Sequence, residues 1–434
     1  MEPTADARRA RRAQHTTVAL LFTGYAAYYF CRADLSVSMP LLVDELATHG
    51  VPRAEALVRL GAVYSAGVLA YALGKILLGG LADLWGGRRS FMLGLGGATL
   101  FTLLFAMGGG LPLFTLAWIG NRLTQSAGWA GLLKVCGRWF DHTRHGAIVG
   151  ILSVSYLVGD AVARESMGLL LEAGAGWRAL FLTAAGVAAL CFLAASLGLR
   201  DSRESLGLAP ASVNPANVYG DTQPARGLGA IVGPLVRSPA FVLVCLLSFG
   251  CTVVREAFNA WMPQFLRDSA GFAPSLAASL SAIFPAVGAA SVLLAGFASD
   301  RLGPVGRPRL LVVGLVVTTL LLVAFAALPT GAPQPLVLGL IALVAFTLLG
   351  PYSYLGGAFA LDFGGARGGA FASGIIDGVG YLGGTLAGAG VATVAVHFGW
   401  RGVWGVLAAV AGGAAIAAAA LLAVQRRRLS ERAG

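Results

Sequence analysis

Long apolar runs, separated by short connections rich in arginine, glycine or proline, set the pattern of this chain. The runs lie at about 16–41, 56–81, 91–110, 112–138, 145–172, 177–199, 239–266, 275–298, 309–328, 334–360, 370–396 and 400–424. Each reaches the ~20 residues that an α-helix needs to cross a hydrocarbon core. In lipid a helix satisfies its own backbone hydrogen bonds, which an isolated strand cannot do. The pattern therefore predicts an all-α membrane protein with twelve transmembrane helices. Residues 201–238 interrupt it with Pro, Ser, Asn, Asp and Gln and show no apolar period. They predict a cytoplasmic linker between an N-terminal six-helix bundle over 1–200 and a C-terminal six-helix bundle over 239–434.

The two halves repeat one another. Arg32 is followed by Met39-Pro40 and Arg255 by Met262-Pro263, at one offset (255 − 32 = 263 − 40 = 223). Trp177-Arg178 and Trp400-Arg401 keep that offset, as do Arg144 and Arg367. The turn from Gly79 through Asp83 to Arg88-Arg89 corresponds to that from Gly296 through Asp300-Arg301 to Gly303, at the shorter spacing 300 − 83 = 217. Two six-helix copies in the same sense form a parallel repeat of the kind that carries a site between its halves. A tight glycine turn leaves an acid and a base at the cytoplasmic ends of helices, so Asp83, Arg88, Asp300 and Arg301 are candidate gating residues.

Composition agrees with this layout. With 57% hydrophobic and 12% charged residues, the chain is too apolar for a soluble protein of 434 residues. Its net charge of +11 invites a polyanionic partner, but the arginines alternate with the connections. They cluster before the first span (Arg8, Arg9, Arg11, Arg12) and in every second connection, while 108–112 and 328–335 contain none. That is the positive-inside distribution with both termini cytoplasmic, and it argues against nucleic acid. The first run is too long for a secretory signal and is expected to be retained. The five cysteines lie in or beside apolar runs without paired spacing, so neither a disulfide framework nor a metal cluster is indicated. No Gly-x-x-x-x-Gly-Lys-Ser/Thr loop is present, which leaves ATP-driven pumping unsupported. No nucleophile constellation suggests an enzyme, and no cofactor is expected.

The candidate chemistry sits inside the apolar runs. A guanidinium stays charged at any relevant pH, so Arg32 and Arg255 are costly in a bilayer and nominate themselves as functional. Facing each other from two halves, they would grip a tetrahedral anion with paired hydrogen bonds. The alternative is that each neutralises a nearby acid, Asp34 or Glu256. Asp34 is two residues from Arg32 and so lies on another helical face, whereas Tyr29, three residues away, shares that face. Lys75 and Lys134 are the chain's only lysines, and both fall in apolar runs. Lys75 either adds a cation near the arginines or snorkels to the interface, and Lys134, nearer its helix end, is expected to snorkel. Asp160 and Arg164 have the i,i+4 spacing of a local ion pair. Arg122, Glu165 and Asp377 are further intramembrane charges, with Arg122, Asp160 and Asp377 as coupling candidates. Asp377 either bonds a hydroxyl or amine of a substrate or belongs to a structural pair.

The Asp-x-x-Gly turns resemble the signature loop of the major facilitator superfamily. The stretch Tyr25-Ala-Ala-Tyr28-Tyr29-Phe-Cys-Arg32 through Met39-Pro40 is similar to the first helix of organophosphate:phosphate antiporters, the glycerol-3-phosphate and hexose-6-phosphate transporters. Gly74-Lys75, Gly128-Trp129, Arg138-Trp139-Phe140 and Gly380-Tyr381-Leu382-Gly383-Gly384 extend the resemblance over both halves. It implies a phosphate clamp at Arg32 and Arg255, with Tyr25, Tyr29, Lys75, Tyr156 and Tyr381 lining the cavity. It further implies a monomeric transporter of a bacterial inner membrane that takes up a small phosphorylated metabolite in exchange for inorganic phosphate. Ala33, Asp34, Glu256 and Asp377 depart from the familiar pattern. Arg122-Leu-Thr-Gln125-Ser-Ala-Gly128 instead resembles a span-four motif of proton-coupled members. A proton-coupled anion symporter, relaying through Arg122 with Asp160 or Glu165, and a transporter-like phosphate-ester sensor therefore stand beside the antiporter.

Overall fold

The computed structural model describes residues 5–78, 85–141, 145–207, 209–211, 235–301, 306–329 and 331–433. Helices α1 (Ala5–Thr48), α2 (Arg53–Leu78), α3 (Gly87–Ala106), α4 (Leu111–Trp139), α5 (His145–Glu172) and α6 (Trp177–Gly198) form the first bundle. The second begins with α7 (Pro239–Ala270). Its next span is broken at Ala282 into α8 (Pro274–Ser281) and α9 (Ile283–Arg301). Then follow α10 (Gly306–Ala327), α11 (Gln334–Tyr352), α12 (Ala360–Gly384) and α13 (Ala389–Ala433). Gly399, at φ +65°, reverses the backbone inside α13 and divides it into the end of span eleven and span twelve. A residue with a Cβ would be strained there.

Over the described residues each expected apolar run is found as mainly helical, but the ends differ. Helix α1 starts well before residue 16 and α13 continues past 424, because a helix does not stop where lipid contact stops. Span ten closes with a π-turn at Leu355–Phe359 instead of a regular helix. Eight helical stretches are long and apolar enough to cross a membrane by composition alone. Spans one, four and five fall outside that set. They carry Arg32 with Asp34, Arg122, and Asp160 with Arg164 and Glu165, intramembrane charges that lower their apolar character over the described residues.

The bundles meet along three helix pairings: α1 on α7, α2 on α12 and α13, and α5 on α8 and α9. These are spans one with seven, two with eleven, and five with eight, so exchanging the repeats maps the interface onto itself. Ser36 lies on its axis. Its hydroxyl donates to the carbonyls of Asn259 (2.6 Å) and Ala260 (2.9 Å), and Asn259 stands 223 positions after Ser36.

Contacts between bundles concentrate toward the end carrying Thr48 and Ala270. Gly61 and Gly388 press backbone to backbone there, a Cβ on Gly61 coming within 2.9 Å of the Gly388 carbonyl. The Ser65 hydroxyl bonds the Thr385 carbonyl, and Arg267 donates to the Pro40 carbonyl at 2.8 Å. Toward the opposite, arginine-rich end the bundles part around a cavity that reaches Gly150 and Arg307.

Candidate functional site

Two chambers lie between the bundles. The wide one, about 650 Å³, opens toward the arginine-rich end and is lined by Tyr25, Tyr29, Lys75, Tyr156, Arg255, Asp377 and Tyr381, together with Tyr71, Trp129 and Tyr352. The narrow one, about 50 Å³, lies deeper and is bounded by Arg32, Arg122, Arg255, Glu256, Tyr64 and Asn259, with the Asp160–Arg164 pair at its side. Tyr29, Tyr156 and Arg255 line both and form the neck between them.

Helix α1 presents Arg32 to the narrow chamber, beside the neck residue Tyr29. Its Nε donates to the Gln125 side-chain oxygen at 2.6 Å and one Nη to the Tyr29 hydroxyl at 3.1 Å. The guanidinium lies 4.5 Å from the ring centres of both Tyr29 and Tyr71. Aromatic faces stabilise a cation without neutralising it. Its other Nη is buried without a partner. Asp34 does not pair with Arg32: one carboxylate oxygen accepts from the Leu35 amide at 2.7 Å and the other has no partner.

Arg255 differs from its repeat mate. One Nη donates to Glu256 at 2.8 Å, so the neighbouring acid does partly neutralise this arginine. Glu256 also accepts from the Tyr64 hydroxyl at 2.9 Å and from Asn259 at 3.4 Å. Tyr352 and Tyr381 hold the Arg255 guanidinium at 4.9 and 5.3 Å from their ring centres, and its Nε has no partner.

Lys75 points into the wide chamber. Its ammonium lies 3.7 Å from Asp377 of the other bundle, and only 14% of the side chain is exposed. The structural-pair alternative for Asp377 and the third-cation alternative for Lys75 thus coincide. Asp160 and Arg164 form the local pair expected from their spacing, Nε to Oδ1 3.1 Å, and Arg164 also donates to Ser281 and to the Asn259 carbonyl across the interface. Glu165, one residue on, is exposed on the outside of the helix and lines neither chamber, which separates it from Arg122. Arg122 is 3% exposed, lies over the rings of Tyr71 and Trp118, and makes no ion pair among the described residues.

Of the gating candidates, Arg88 bonds the Asp201 carboxylate through its amide (2.9 Å) and the Ser196 carbonyl through an Nη (2.8 Å). Asp83 and the side chains of Asp300 and Arg301 lie outside the described residues. Asp201, which also pairs with Arg138, was not singled out by the sequence. Nor were Tyr71, Tyr64 and Tyr352, and Gln125 was named only as part of the span-four motif. Tyr71 carried one usable signal, its i,i+4 spacing from Lys75 on one helix face.

A cavity lined by charge, set between two repeated helical bundles and closed toward one end, defines the class of secondary transporters. The chain belongs to the Major Facilitator Superfamily, whose family model matches residues 21–388. It is similar to a probable hexose phosphate transport protein of Chlamydia pneumoniae, 27% identical and covering 90% of this chain and 87% of that one. It is likewise similar to a glycerol-3-phosphate transporter of Bacillus subtilis (23%, 88% and 86%) and to the membrane sensor protein UhpC of Escherichia coli (26%, 90% and 88%). A bacterial homologue of the human lysosomal transporter Spinster, in an inward-facing and unoccupied conformation, shares the fold at TM-score 0.74 and 16% identity, covering 96% of this chain and 98% of that one.

Proposed function

We propose that this protein takes up a small phosphorylated metabolite, of the sugar-phosphate or glycerol-phosphate kind, in exchange for inorganic phosphate. The observation that carries the reading is the placement of Arg32 and Arg255, one from each bundle, on the narrow chamber, with Arg255 also at its neck with the wide one. The names of the relatives agree with it. With the arginine-rich end and both termini in the cytoplasm, the wide chamber faces inward. Phosphate binding between the arginines draws the bundles together on that side and lowers the barrier to the outward-open state. Tyr25, Tyr29, Tyr156 and Tyr381 supply hydroxyls and ring faces around the ester, and Lys75 with Asp377 meets its organic part. The protein works as a monomer in the inner membrane of a bacterium, its bundles joined by the linker at 201–238.

Proteoliposomes loaded with phosphate test this. Labelled phosphate enters, and sugar or glycerol phosphates outside drive its exit. Absence of exchange with every such ester rejects the reading. Proton-coupled uptake is a second reading, favoured by buried Asp34 with its one unpartnered oxygen. Uptake that collapses with a protonophore and ignores phosphate on the far side selects it.

A further inference from the structure

We propose that Arg122 is a third phosphate-binding residue, and that the narrow chamber holds the substrate's phosphate as a dianion while the ester's organic part, uncharged, lies in the wide chamber. The inference rests on the phosphate-ester reading and deepens it. Three guanidinium groups, those of Arg32, Arg122 and Arg255, bound a space of about 50 Å³. A cavity needs ~10–15 Å³ to admit one water, so this space has room for several, enough for one tetrahedral anion.

The donors are poised but not used. An Nη of Arg32, the Nε of Arg122 and the Nε of Arg255 are all buried without a partner. The acid that counts against these three arginines is Glu256, whose two oxygens are already taken by Arg255 and Tyr64. Asp160 is matched by Arg164. Asp34 lines neither chamber and makes no ion pair with Arg122. Three cations against one acid leave the narrow chamber two charges positive, which suits a phosphate dianion. In the wide chamber Lys75 is paired with Asp377, so this lysine offers little net charge to a second anionic group, and the remaining cation outside the neck, Arg307, lies at the arginine-rich end. The favoured substrates are monophosphate esters with a hydroxylated, uncharged body.

The test uses the full-length protein in nanodiscs and inorganic phosphate as the probe. Wild type that neither binds nor exchanges phosphate removes the underlying reading. Given wild-type binding, Arg122→Gln raises the phosphate Kd about 10- to 100-fold, as loss of a hydrogen-bonded charge does, and Arg122→Lys recovers part of it. A Kd for Arg122→Gln within about threefold of wild type overturns the proposal while transport of phosphate esters stands. Melting without ligand checks folding of both variants. Should neither fold, wild type still decides: a doubly positive chamber binds methylphosphonate dianion at least about 10-fold tighter than dimethyl phosphate, a permanent monoanion. Equal affinity for the two, expected if Asp34 neutralises Arg122, overturns it.

Discussion

Arg267 places a guanidinium nitrogen 2.6 Å from a carboxylate oxygen of Asp44, and these residues stand 223 positions apart, the same displacement that relates Ser36 to Asn259. Equivalent positions of the two repeats have thus acquired opposite charge and meet across the interface. Arg53 extends the cluster to Asp44 (2.7 Å) and Asp268 (3.6 Å). It sits at the closed end, where it holds the bundles together only in this conformation. Partly exposed pairs contribute about 0.2–1 kcal/mol each. Arg267→Gln therefore shifts the population toward the state open at this end by up to about fivefold. Spin-label distances between Thr48 and Ala270 read the shift, and an unchanged distribution in Arg267→Gln refutes a latch.

Gly61 and Gly388 make a sharper version of the same argument. Each would drive a Cβ into the other's backbone, and backbone cannot rotate away as a long side chain does. Gly388→Ala is expected to prop this end open without unfolding either bundle, since the contact lies between them. Accessibility of a cysteine placed at Ser65 to an impermeant thiol reagent should rise, in a background with the native cysteines removed. Equal labelling in both proteins contradicts the close packing.

Replacing Arg32 or Arg255 by lysine keeps the charge but removes the planar fork. Lysine is a point charge that cannot span two phosphate oxygens in the way a guanidinium does. Arg32 also engages Gln125 and Tyr29 while keeping one Nη free, a division of labour that lysine has no geometry to reproduce. Both variants should insert normally and lose phosphate exchange by more than 100-fold, about 2.7 kcal/mol. Wild-type turnover in either one excludes a bidentate clamp.

What the sequence disclosed follows from the range of the interactions. Apolar runs report each helix's own contact with lipid, so all twelve spans are legible; helix ends are not, because α1 and α13 continue into polar surroundings. Asp160 and Arg164 could be paired in advance because their contact lies within one helix turn. The Arg32–Arg255 correspondence was legible through the repeat. The contacts of Tyr64 with Glu256, Asp44 with Arg267 and Lys75 with Asp377 arise only when two bundles dock, at sequence separations of 192 residues and more, and no local pattern encodes them. The helical phase of α5 also decides between neighbours: Arg164 faces the interface and Glu165 faces out.

Arg164 is 2% exposed and bonds Asp160, Ser281 and the Asn259 carbonyl. Removing one member of a buried pair strands the other charge, at a cost of about 3–5 kcal/mol, whereas removing both is far less damaging. Asp160→Asn should lower the melting temperature in detergent strongly, and Asp160→Asn with Arg164→Met should recover much of the loss. Strictly additive losses would indicate that Arg164 acts through its bonds across the interface, not through its acid.

Lys75 and Asp377 balance one another inside the wide chamber. At 3.7 Å the carboxylate cancels most of the field that the ammonium would present to a substrate. Asp377→Asn leaves Lys75 uncompensated beside Tyr71, with nothing else in the wide chamber to neutralise it among the described residues. The variant should therefore admit esters bearing a second anionic group, such as a carboxylate, with about 10-fold tighter binding than wild type, equivalent to ~1.4 kcal/mol. Esters with an uncharged body should change by no more than about threefold. Lys75→Gln in the Asp377→Asn background should cancel the gain, because the effect belongs to the freed ammonium. Competition against labelled phosphate measures all three proteins, and tighter binding that survives loss of Lys75 would place the second anion elsewhere in the cavity.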